Sequence, residues 1–158
     1  MIDKKISVIR PFGPSIAKLI IPDILINKIN QYVDEVMQDK NKQKELDHGH
    51  NLAGNVSQEF KLEKEFMQNC GWTKFLFDGT KYWIKQSMEK EITKFEIIES
   101  WIVRQFENDY NPIHVHGGHI SGVGYLKVPT DFGKPSQESK TEKSRAKKAA
   151  YLGFKFLI

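Results

Sequence analysis

The order of patterns along this chain predicts an α+β fold, with a helical layer packed on an antiparallel sheet. Two short strand patterns stand at the front, helical periodicity dominates the middle, and strand patterns rich in β-branched and aromatic residues follow. A chain of 158 residues, 39% of them hydrophobic, is the size of one domain and can bury a core.

Ile6 to Ile9 and Ser15 to Ile21 read as strands, and Pro11-Phe12-Gly13-Pro14 between them is a turn by composition. Pro22 opens a helix, where its missing N–H costs nothing. Leu25, Ile29, Tyr32, Val33 and Val36 then recur at helical spacing through about Met37. Asp39 to Asp47 is polar and reads as a frayed end plus a loop, and His48 to Gln58, with Gly49 and Gly54, reads as irregular. A second helix is expected from about Trp72 to Ile92, with Leu76, Trp83, Met88 and Ile92 inward and Asp78-Gly79 weakening its first turns. Thr93 to Phe106 is a long strand candidate, Glu107 to Pro112 a turn, and Ile120 to Val128 a further strand.

Between those last two lies the run Asn111-Pro112-Ile113-His114-Val115-His116-Gly117-Gly118-His119. It gathers three of the five histidines. On an extended strand, His114 and His116 point to one face and can reach one metal ion. Imidazole suits iron, zinc, copper and nickel, so the pair implies a transition metal without choosing it. His119 reads as a neighbouring loop residue that could replace a missing donor. His48 and His50 repeat the spacing in a glycine-rich stretch and read as an exposed polar loop, although they are the only other histidines that could complete a site within one chain. Arg104 could bind an anion from a neighbouring strand, but a surface ion pair is the commoner role; Trp72, Trp83 and the phenylalanines read as core.

The charge is local. Residues 134–150 hold six cations against two carboxylates, an excess of +4 that equals the net charge of the whole chain. No aromatic side chain interleaves these charges, so a solvated loop is expected and nucleic acid is not expected as a partner. Cys70 is the single cysteine, which excludes a disulfide framework within one chain and a thiolate zinc site. The longest apolar run is far too short to span a membrane. A cytoplasmic protein is the expectation, with residues 1–130 as the domain, 131–150 as a basic low-complexity segment and 151–158 as an apolar end, either a final strand or an abrupt stop.

Three segments carry a resemblance: Trp101-Ile102-Val103, Asn111 to His116, and Ser121-Gly122-Val123-Gly124-Tyr125-Leu126-Lys127-Val128-Pro129. This window is similar to the prolyl-hydroxylase-like branch of the 2-oxoglutarate/Fe(II)-dependent oxygenases, nearest to a group of small members from marine bacteria and their phages. The resemblance implies a double-stranded β-helix, or jelly roll, here a partial one with N-terminal helices packed on the sheet. It implies Fe(II) as the metal, and 2-oxoglutarate and O2 as co-substrates. The implied reaction couples decarboxylation of 2-oxoglutarate to hydroxylation of a C–H bond. The main substrate is not legible, and the host cytoplasm would be the location if a phage encodes the chain.

Residue by residue, the resemblance places His114 at the family's first metal histidine. His116 falls where a carboxylate is commoner, and this leaves the site more positive by one unit. Tyr125 falls where related hydroxylases set a tyrosine near the 2-oxoglutarate carboxylate, and Ser121 shares its strand face. The chain departs from the family further on. No histidine follows His119, and the only arginine after Arg104 is Arg145, so the family's distal histidine and carboxylate-gripping arginine have no counterparts. The C-terminal half of the β-helix is expected to be missing or replaced, with exposed sheet edges that a second copy could cover. The alternative is a metal-binding or interaction module without turnover on the same scaffold.

Overall fold

The computed structural model describes residues 6–10, 13–49, 56–106, 109–112 and 114–129, together with the backbone of 153–157. The basic segment 134–150 and His50 lie outside the described residues, as do 151, 152 and 158 of the expected C-terminal end.

The strands β1 (Ile6–Ile9) and β2 (Ile16–Leu19) form an antiparallel hairpin, with Ile6 opposite Leu19 and Ile9 opposite Ile16. Helix α1 (Asp23–Gln38) starts one residue after Pro22, and the expected stripe of Leu25, Ile29, Tyr32, Val33 and Val36 is its buried face. Asp39 then leaves the helical region (φ −111°, ψ 104°), and its carboxylate accepts the backbone N–H groups of Asn41 and Lys42. One residue thus stops α1 and caps α2 (Lys40–Leu46). This corrects the loop expected over Asp39 to Asp47, since the cap satisfies donors that a short charged segment would leave to water.

Strand β3 (Gln58–Lys61) leads into α3 (Lys64–Cys70), neither of which the sequence patterns announced. Gly71 adopts φ 95°, closes α3 and opens α4 (Trp72–Met88). That φ is what L residues avoid, so glycine is the natural hinge between the two helices. The second expected helix is therefore present, but it ends at Met88 rather than Ile92. Residues 94–98 are not strand, and β4 (Glu99–Arg104) begins later than the pattern suggested. The expected strand over Ile120 to Val128 shortens to β5 (Ser121–Gly124). The apolar end supplies β6 (Gly153–Leu157).

The second sheet runs β3-β4-β6-β5, all neighbours antiparallel. Its two faces differ in role. Directly paired residues share a face, and Phe60 pairs with Ile102. Both join Leu25, Ile29, Tyr32, Val36, Met67, Trp72 and Leu76 in the main core. This is the helix-backed face. The opposite face carries Glu59, Glu99, Trp101 and Val103, in line through β6 with Ser121 and Val123. Trp101 and Val103 form a separate small cluster there with Val56. β4 is buried on both faces, which explains its unbroken apolar run Trp101-Ile102-Val103.

The molecule is thus α+β, with helices on one side of a small antiparallel sheet. No helix among the described residues is long and apolar enough to cross a membrane.

Candidate functional site

The histidine motif lies against the sheet face turned away from the helices. Its backbone is not a strand, contrary to expectation, since residues 114–117 have no ladder partners. Pro112 cannot donate to a ladder, and Gly117 and Gly118 loosen the chain beyond. The turn before the motif is instead clamped by Asp109. Its carboxylate accepts Ser57 Oγ–H at 2.7 Å, the Ser57 backbone N–H at 3.1 Å and the Phe106 N–H at 2.9 Å. Desolvation alone would raise the Asp109 carboxyl, but the hydrogen bonds from Phe106 and Ser57 outweigh it and hold the group below its ordinary range.

The two imidazoles meet. His114 Nε2 and His116 Nε2 are 3.0 Å apart, with the rings nearly perpendicular at 84°. His114 Nδ1 lies 2.7 Å from the Pro112 carbonyl oxygen. A carbonyl can only accept, so His114 donates through Nδ1–H. The 3.0 Å contact needs a hydrogen on one of the two Nε2 atoms, and a metal ion held by both would take that hydrogen's place. A backbone carbonyl holding the far nitrogen of a histidine is the arrangement that fixes tautomer and ring orientation in metal-ligating histidines.

The spacing tests the fit of a metal. Two nitrogens about 2.1 Å from one ion and at right angles lie roughly 3.0 Å apart. The His114–His116 separation therefore suits adjacent positions of an octahedral shell. Groups of three or more histidine, cysteine or acidic side chains able to hold one ion do not occur among the described residues. The pair offers two donors of such a shell.

Behind the pair stands Trp101, which is 1% exposed, its ring 5.8 Å from that of His116. On its other flank is His48, at 5.5 Å. Expected in an exposed loop, His48 is instead 2% exposed. Its backbone N–H donates to the Glu59 carbonyl at 2.9 Å, next to an antiparallel bridge between Asp47 and Phe60. The residues after α2 thus extend the sheet edge, and the bridge carries His48 into the small cluster. Its Nε2 is 3.9 Å from the Glu99 carboxylate. Sequence reasoning favoured an exposed loop for His48, which it also named as able to complete a site, and missed the Glu59 carbonyl that holds His48 and the Asp109 clamp. An Asp within the predicted turn was a readable signal for the clamp, while the burial of His48 depends on strand pairing.

The remaining expected residues are placed less centrally. Ser121 and Val123 lie on the Trp101 face of β5. Leu126, at a bend just past β5, packs against the helix-side core, and Tyr125 beside it is 44% exposed. His119 is exposed. Among the described residues Arg104 has no ion-pair partner; it donates to the Gln58 carboxamide oxygen at 2.6 Å. Cys70 is buried, as an inert thiol would be.

No family of known proteins, no curated protein and no solved structure matches this chain.

Proposed function

We propose that this chain holds a divalent transition metal on His114 and His116, and that it does so as an Fe(II)/2-oxoglutarate-dependent hydroxylase or a descendant of one. The observation that carries the metal reading is the 3.0 Å approach of two Nε2 atoms, one of them fixed as a lone-pair donor by the Pro112 carbonyl. The oxygenase class rests on the resemblance of residues 101–129. A four-stranded sheet with helices on one face and the histidines against the other is compatible with one wall of a partial double-stranded β-helix.

In this reading His114 and His116 hold the metal, and bound Fe(II) with 2-oxoglutarate would supply O2-dependent C–H hydroxylation. The buried Trp101 ring, 5.8 Å from that of His116, walls the site from the sheet side. Ser121 on β5 and Tyr125 just beyond it offer hydroxyl donors to a carboxylate. A second reading is a metal-binding module without turnover. It is favoured by the described surroundings of the pair, which bring no third histidine, cysteine or acidic donor to the same point.

Anaerobic addition of Fe(II) and 2-oxoglutarate to the folded protein separates the two. The hydroxylase reading expects a weak visible charge-transfer band, lost in His114→Ala, and succinate formation on admitting O2. Metal binding with neither band nor succinate would leave the module reading standing. Failure of any divalent metal to bind would sink both.

A further inference from the structure

A second site lies on the other side of the sheet. Between α1 and the end of β4 is a cavity of about 330 Å³, within the size range of small-molecule sites. Asn30, Val33 and Asp34 line it from α1, Ile102, Arg104 and Phe106 from β4 and just beyond, and Leu126 and Lys127 from the segment after β5. Ile102 points to the helix-backed face, opposite Trp101 and the histidine pair.

The chemistry of the wall is two-sided. Val33, Ile102, Phe106 and Leu126 are apolar. Arg104 is half-buried, forms no ion pair among the described residues, and has only the neutral Gln58 amide and the Phe106 ring, 5.6 Å from Cζ, as recorded partners. A guanidinium carries five N–H donors, so several remain for a ligand. A half-buried cation without a counter-charge draws an anion. Lys127 adds a second positive charge and Asp34 subtracts one, leaving an excess of one. A dianion would face Asp34 uncompensated, and a neutral ligand would leave Arg104 unmatched.

We propose that this cavity binds a small organic monoanion, a carboxylate held by Arg104 and Lys127 with an apolar body against Val33, Ile102, Phe106 and Leu126. The site is independent of the histidine pair and needs no metal. The ligand could be a free carboxylic acid or the C-terminal carboxylate of a peptide, since both present the same group.

The test uses the full chain without added metal, followed by nitrogen-15 NMR during titration with 3-phenylpropionate, its neutral amide, a dipeptide ending in leucine, and 2-oxoglutarate. The expected result is saturable shifts of the Val33, Ile102 and Gln105 amides with a monocarboxylate. Loss of a charge-assisted contact should make the amide at least about tenfold weaker. Arg104→Gln should weaken binding similarly, and Asn30→Phe, which fills the cavity from a half-buried helix position, should abolish it in a folded protein. The tighter of the free acid and the dipeptide identifies the source. No shifts up to roughly 10 mM, equal shifts from the amide, or binding by 2-oxoglutarate alone would each overturn the proposal.

Discussion

Gly79 occupies the middle of α4, where glycine costs about 1 kcal/mol against alanine. The sequence reads it as a weak point. The structure gives its use: a Cβ there would collide with Leu19 Cδ2 and come within 3.2 Å of Leu19 Cγ. The missing side chain lets the hairpin sit directly on the helix, where Trp83 Nε1–H also donates to Ser15 Oγ at 2.9 Å and Arg10 to the Ser87 carbonyl. Gly79→Ala should therefore destabilise the protein by about 1–2 kcal/mol, because displacing Leu19 outweighs the helix-propensity gain. In a Leu19→Ala background the collision is gone, and the same change should stabilise by up to about 1 kcal/mol. Urea unfolding of the four proteins checks the reversal of sign. A glycine substitution that stabilised in both backgrounds would show that the close approach is not a constraint. No sequence pattern could have paired Gly79 with Leu19, since the two lie far apart in the chain and their contact follows from how the hairpin docks.

At the scale of elements, legibility followed periodicity. α1 and α4 are long and amphipathic; the buried face of α1 could be read directly, whereas of the residues expected inward on α4 only Leu76 is buried and Met88 is exposed. α2 and α3 have seven residues each, too few for a period to emerge from noise. α2 depends on a single side chain. With Asp39 accepting from Asn41 N–H at 2.8 Å and Lys42 N–H at 3.1 Å, Asp39→Ala should cost about 1 kcal/mol. Asp39→Asn should lose much less, because the carboxamide oxygen keeps the acceptor. Equal losses for the two variants would mean that charge, not the hydrogen bonds, holds the helix start. The histidine segment is the opposite case. Its residues were legible as a metal-binding pattern, yet a strand was expected where there is none. The pairing of the rings comes instead from the Asp109 clamp and the Pro112 carbonyl.

At the scale of the whole molecule, Tyr32, Lys42 and Glu63 tie three helices together. Tyr32 on α1 donates to Glu63 Oε2 at 2.7 Å, Lys42 on α2 lies 3.2 Å from the same oxygen, and Tyr32 stacks on Phe66 of α3 at 4.0 Å. Burial and then the Glu63 hydrogen bond push the Tyr32 hydroxyl well up, so it stays protonated. The Tyr32 hydrogen bond, against a desolvation penalty and with help from Lys42, lowers the Glu63 carboxyl below its ordinary value near 4.5. A lowered acid contributes stability above its unfolded value and loses it as pH falls through the folded one. Unfolding free energy should thus decline below about pH 4.5, and Glu63→Gln should flatten that decline. Glu63 is partly exposed, so the effect is screened and small. Identical acid limbs in the two proteins would exclude this tie as a source of acid sensitivity.

The α+β class was legible because strands and helices segregate along the chain. The sheet order β3-β4-β6-β5 was not, since β6 inserts between β4 and β5 from beyond a long polar segment. The candidate site was legible as residue types, but its sheet-side wall of Trp101 and His48 required the pairing of β3 with β4.

The central claim is that His114 and His116 chelate one metal ion. The most direct measurement is a calorimetric Ni(II) titration of the wild-type chain and of His114→Ala, His116→Ala and His119→Ala, each confirmed as folded by circular dichroism. The account predicts one ion per chain, with affinity weakened at least about tenfold by either of the first two changes and unaffected by the third. Equal affinity in all four proteins, or loss confined to His119→Ala, would contradict it.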